Sequence, residues 1–138
     1  MTTRDYFRAM TPTEHGLPTV GPNKRRLGAL PSETDSVDGT FGPGTGGMSV
    51  SPGSPWHIPH HRRPRGMGRG ATGPTQDWVF GIESDRLDDA TLTARPDPRN
   101  PRKHAFVEPL TIVMYLEYYA ALASTQTEWR RFWPQDLA

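Results

Sequence analysis

The 138-residue chain contains no cysteine. That removes disulfides, a thiolate nucleophile and cysteine-ligated zinc. No run of about 18 apolar residues exists to cross a membrane. The opening "MTTRDYFRAM" has no apolar core of signal-peptide length. The expectation is a cytoplasmic protein with no membrane partner. Export through a secretion machine leaves no mark of either kind, so delivery into another cell's cytoplasm stays open. Acid is also missing over one long stretch: none occurs between Asp38 and Asp77.

That last absence is half of an asymmetry. Residues 1–75 carry nine Lys/Arg against five Asp/Glu, and residues 76–138 carry seven against ten. The net charge of +1 therefore hides a basic half and an acidic half. A basic half suits an anionic ligand, while the small total argues against a strong non-specific nucleic-acid binder.

Glycine and proline are abundant, at 14 and 15 residues, which predicts long loops. Four Trp, five Phe and four Tyr supply large apolar area to bury and argue against a disordered chain. The length suits one domain, 1–138, with one modest core.

Along the chain, "DYFRAM" (Asp5–Met10) reads as a first strand. "TPTEHG" carries helix-start signals: Thr11 as N-cap, Pro12 at the first position and Glu14 in a capping box. Both "GLPTVGPNKRRLGALP" and the acidic "SETDSVDG" read as loops. Further strands are predicted at Gly46–Ser51, Asp77–Glu83, "TLTAR", His104–Glu108 and Leu110–Met114, with a short helical piece at "DRLDDA". From Tyr115, apolar residues spaced by three and four predict a closing helix of about 18 residues. The fold class is α+β: short mixed or antiparallel strands, a C-terminal helix and long ordered Gly/Pro loops.

Several segments carry chemistry. Arg8 stands in a strand between Phe7 and Ala9, and points either to solvent or into a cleft. In "GTGGMSVS", Thr45, Gly46 and Gly47 allow close backbone approach to a ligand, and Ser49 and Ser51 share one strand face. The alternative is a plain glycine turn, since neither a P-loop nor a dinucleotide fingerprint is present. "SPWHIPHHRRPRGMGRG" combines Trp56, His57 and the arginines Arg62 and Arg63, able to grip a pyrophosphate or simply to face water. Pro59 interrupts the His57/His61 spacing and no HExxH occurs, so no metal is expected. In "KHAFVEP", His104, Phe106 and Glu108 share a face. Glu108 is a candidate acid or base or the partner of an arginine, and Glu83 is the competing carboxylate.

Taken in order, "YFRA", "GTGGMSVS", the Pro-rich basic stretch, "DWVFGI", "HAFVEP" and the late "EW" resemble the Tse-type toxins delivered by type VI secretion. The likeness runs from about Tyr6 to Trp129 and is sharpest at the paired glycines followed by Ser-Val. Of the family's Thr-Ser, only Ser49 carries over, because Met48 replaces the threonine. The resemblance implies an ADP-ribosyltransferase fold and NAD as the bound cofactor. It implies catalytic roles for Arg8, Ser49, Glu108 and His104. It also implies NAD contacts from Arg8, Thr45, Gly46, Gly47, Ser49, Trp56, His57, Arg62 and Arg63. ADP-ribose would go to a macromolecular acceptor, or to water in an NAD glycohydrolase, and a cognate immunity protein or antitoxin would restrain the toxin. A non-catalytic basic-loop module for nucleic acid or protein is the contrasting reading.

Overall fold

The computed structural model describes residues 4–30 and 38–135. Most of the acidic stretch expected as a loop lies outside them. Eight strands follow in chain order: β1 (Asp5–Met10), β2 (Thr40–Phe41), β3 (Met48–Pro52), β4 (Trp78–Glu83), β5 (Leu92–Pro96), β6 (Ala105–Pro109), β7 (Val113–Met114) and β8 (Arg130–Trp133). Two helices join them, α1 (Ser84–Asp89) and α2 (Tyr115–Ser124). Six strands make one antiparallel sheet in the order β5-β6-β3-β1-β4-β8, and β2 pairs with β7 apart from it. The mixed class with a predominantly antiparallel sheet agrees with the sequence.

Strand alternation decides what each face buries. Tyr6 and Met10 of β1, Met48 and Val50 of β3, and Ala105 and Val107 of β6 join the larger core. Leu87 of α1, Tyr118 and Leu122 of α2, and the Leu27–Ala29 segment pack into it as well. Phe7, Ala9 and Val79 face the other way, into a smaller core with Ile58 and Met67. Each fully buried Phe or Leu contributes roughly 1.5–3 kcal/mol. The sheet thus lies between a helical layer and a loop layer.

That loop layer is the Gly/Pro/Arg stretch. A 3₁₀ turn, Pro55–His57, is capped by Ser54, whose Oγ accepts from Trp56 N at 3.1 Å. Gly73 N donates to Arg63 O at 2.7 Å and Thr72 N to His60 O at 3.0 Å, closing the loop on itself. Ile58 and Met67, almost wholly buried, pin it to the sheet. The stretch is an ordered wall, with many of its backbone N–H groups donating to carbonyls of the same loop.

Three predicted elements differ. "TPTEHG" forms no helix: Thr13 Oγ1 accepts from His15 N and Leu17 N, and Pro12 bridges Pro18 in a tight return. A threonine hydroxyl competing for local N–H groups favours a turn over a helix. The predicted long final helix stops at Ser124; a 3₁₀ turn (Gln126–Glu128) and β8 follow. Thr125 Oγ1 donates to Leu122 O at 2.7 Å and receives Trp129 Nε1–H at 3.0 Å, so the chain turns although the apolar periodicity continues. Of the strand predicted over Leu110–Met114, only Val113–Met114 pairs, with β2.

Candidate functional site

β3 is shared between two neighbours. Its first half pairs with β6 (Met48↔Val107, Ser49↔Phe106, Val50↔Ala105), and its end pairs with β1 (Tyr6↔Pro52, Phe7↔Ser51). Beyond Phe7, β1 and β3 therefore part. A cleft of about 270 Å³ opens there, on the sheet face opposite the larger core. This is near the lower end of the range for small-molecule sites.

Arg8 fills the gap between the parted strands. It is buried, with 8 % exposure. Its Nη1 donates to Ser49 O at 2.7 Å, and its Nη2 to Arg26 O at 2.8 Å and Asn23 O at 3.2 Å. One guanidinium thus ties β3 to the 21–28 turn, a task its planar fork of donors suits. Ser49, exposed, and Ser51, buried, line the cleft from the same side of β3. Phe7 and Phe106 supply aromatic walls, Lys24 and Arg62 bring positive charge from two loops, and His61 lines the cleft beside Arg62. No Asp or Glu is among the lining residues.

His104 enters the cleft just before β6. Its Nδ1 lies 2.7 Å from Asp97 Oδ2, across the β5–β6 hairpin, whose end is closed by Asp97 N donating to His104 O at 3.0 Å. The bond from His104, reinforced by Arg99 N, holds the Asp97 carboxyl below its usual range. With Nδ1 engaged, Nε2 is the ring nitrogen left to meet a ligand. The His104 ring also stands edge-on to Phe106, with centroids 4.7 Å apart.

Gly47 forms part of the cleft floor. A Cβ there would sit 2.3 Å from Val107 O and 2.5 Å from Tyr118 Oη. Only glycine lets β3 approach α2 this closely.

Of the residues singled out in the sequence, the cleft brings together Arg8, Gly47, Ser49, Arg62 and His104. It does not include Glu108. That carboxylate is buried with 1 % exposure. It accepts from Arg95 Nε and Nη2, each at 3.0 Å, and from Gly44 N at 3.1 Å and Gly46 N at 2.7 Å. Glu108 fastens the glycine turn to β6, which is the arginine pairing left open by the sequence. Thr45 and Gly46 belong to that fastened turn and do not line the cleft. Trp56 lies outside the lining, 52 % exposed, with the Arg63 guanidinium 5.8 Å from its ring centre. Arg63 is buried, and His57 Nδ1 sits 2.8 Å from Pro52 O. Glu83 lines a different cavity, beside Asp5, Arg86 and Glu128.

Sequence reading passed over Asp97, Lys24 and His61 as site residues. For Asp97 the available signal was two strand patterns flanking "PDPRNPRK", a hairpin that sets its ends side by side. Lys24 stood in a plainly basic triplet, but nothing local ties that turn to β3.

Compared with family models, curated proteins and solved structures, the chain shows no significant match.

Proposed function

We propose that the chain is an NAD-dependent toxin that breaks the nicotinamide–ribose bond and transfers ADP-ribose to a macromolecular acceptor. One observation carries the reading. Arg8, Gly47, Ser49, Arg62 and His104, drawn from four separate segments, converge on one acid-free cleft with two aromatic walls. Such a site favours a ligand with negative charge and a flat ring.

Breaking the bond proceeds through an oxocarbenium-like transition state, as in glycoside cleavage. Lys24, His61 and Arg62 hold the pyrophosphate, and Ser49 Oγ hydrogen-bonds the nicotinamide-side ribose. Arg8 is a positioning residue, because its guanidinium braces Ser49 and the 21–28 turn. Asp97 orients His104, whose Nε2 takes the proton of the attacking hydroxyl. Glu108 acts at one remove, through the glycine turn that ends at Gly47. An ADP-ribosyltransferase fold, toxicity to cells and a cognate inhibitor are parts of the same proposal. With water as acceptor the site is an NAD glycohydrolase, and the product distinguishes the two.

The test is nicotinamide release from NAD by the purified chain, with and without cell lysate. His104→Ala should slow release about 10²–10⁴-fold while circular dichroism stays unchanged. Absence of release from the folded wild type under both conditions overturns the proposal.

A further inference from the structure

A second groove, of about 390 Å³, adjoins the cleft. It is lined by Thr11, Asn23, Lys24, Arg25, Arg26 and Arg62, and no acid is among them. Lys24 and Arg62 line the cleft too, so the two cavities are continuous there. A dinucleotide whose pyrophosphate lies on Lys24 and Arg62 therefore has the groove beside it.

Those two side chains give one cation to each phosphate of a pyrophosphate. The groove holds positive charge beyond them. Arg25 is held by Asp77, with Nε–Oδ2 at 2.9 Å and Nη2–Oδ1 at 2.8 Å. Arg26 has no ion-pair partner among the described residues. Its side chain lies across Gly21: a Cβ there would sit 2.4 Å from Arg26 Cδ and 3.1 Å from its Nη1, so a side chain at that position would push it aside. The turn beneath is braced, because Arg26 N donates to Asn23 O at 3.2 Å and Arg8 grips Asn23 O and Arg26 O.

The adenosine end of a nicotinamide dinucleotide carries either a free ribose 2′-hydroxyl or a 2′-phosphate. A carboxylate suits the hydroxyl, whose hydrogen bond it accepts, and repels a phosphate; arginine suits the phosphate. The groove supplies arginine and no carboxylate among its lining residues. Asp77, behind Arg25, is buried, and its oxygens already accept from Arg25 and from Thr11 Oγ1 at 2.9 Å. A phosphate monoester adds roughly −1.5 to −2 of charge, which Arg26 answers.

We propose that the groove receives the adenosine-side 2′-phosphate and that Arg26 selects NADP over NAD as the dinucleotide cleaved. The selection rests on the nicotinamide-releasing reading of the cleft; the phosphate site is tested without it.

Binding is measured first, on the full chain, by isothermal titration calorimetry with adenosine 2′,5′-bisphosphate, adenosine 3′,5′-bisphosphate and AMP. None of these contains nicotinamide. The 2′,5′-bisphosphate should bind about tenfold more tightly than AMP, as a charge-assisted contact provides, and more tightly than its 3′ isomer. Arg26→Gln should bring the 2′,5′-bisphosphate and AMP to similar affinity. Gly21→Ala, which displaces the Arg26 side chain and keeps its charge, should narrow the gap. Nicotinamide release should follow the same order, with kcat/KM about tenfold higher for NADP than for NAD in the wild type and near equal in Arg26→Gln.

Equal affinity for the 2′,5′-bisphosphate and AMP overturns the phosphate site. So does equal affinity for the two bisphosphates, which would show an unselective anion patch. An Arg26→Gln variant that keeps the whole wild-type preference overturns the role given to Arg26. Release from NAD and NADP at equal rates sinks the selection and leaves the NAD-cleaving reading standing. Arg26-dependent bisphosphate binding with release from neither dinucleotide sinks the cleavage reading and supports the phosphate site.

Discussion

Arg8 shows how one side chain serves fold and site together. Its donors reach carbonyls on both sides of the gap where β1 and β3 part. A lysine places three donors around one point and does not span that gap. Arg8→Lys should therefore destabilise the protein by about 2 kcal/mol in urea unfolding and slow nicotinamide release. Full stability in that variant would show that the carbonyl cage is dispensable. Glu108 makes the complementary case. Sequence reading gives it a chemical role, and the structure gives it Arg95 and two glycine amides. Removing it leaves a guanidinium and two N–H groups without their acceptor. Glu108→Ala should cost on the order of 3 kcal/mol, the partial exposure of Arg95 moderating the loss. Any fall in activity should track that loss and recover in Glu108→Gln more fully than a lost catalytic carboxylate allows. Activity abolished at unchanged stability would return Glu108 to the chemistry.

At the scale of elements, Tyr118 ties α2 to the cleft floor. Tyr118 Oη donates to Val107 O and accepts from Met48 N at 2.9 Å, while its ring stacks on Phe41 with centroids 4.8 Å apart. Tyr118→Phe strands the Met48 N–H in the core and should cost about 1–3 kcal/mol, read from thermal or urea unfolding. Burial pushes the Tyr118 hydroxyl well above its ordinary value. A raised folded pKa stabilises fully below the unfolded value, and that stability fades as pH rises from about 10 toward the folded value. The wild type should accordingly lose stability in that alkaline window faster than Tyr118→Phe. Parallel alkaline curves would argue against a buried, neutral hydroxyl. The same scale explains why the final helix is short. Periodicity records which side chains are apolar, but Trp129 is buried with its Nε1–H on Thr125, while Arg130–Trp133 pair with β4 as a largely exposed edge strand. A helix and a turn followed by an edge strand can carry the same three-or-four spacing of apolar residues, so the local pattern does not separate them.

For the molecule as a whole, the first half supplies the cations of the cleft, and the second half supplies His104, just before β6. On the proposed function, expressing the wild-type chain in a bacterium should lower cellular NAD and arrest growth. His104→Ala at equal soluble level should do neither. Unimpaired growth with full NAD in wild-type expressing cells would remove the toxin reading. The sequence by itself determined the α+β class, the position of β1, the paired faces of Ser49/Ser51 and His104/Phe106, and the basic character of the loop wall. These follow from alternation, turn chemistry and charge, all of which act within a few residues. Only the tertiary structure decided that β3 leaves β1 for β6, that Arg8 fills the opening, that Asp97 meets His104, and that Glu108 is spent on Arg95. Those contacts join residues distant in the chain, and their partners are selected by how the sheet packs rather than by neighbouring sequence.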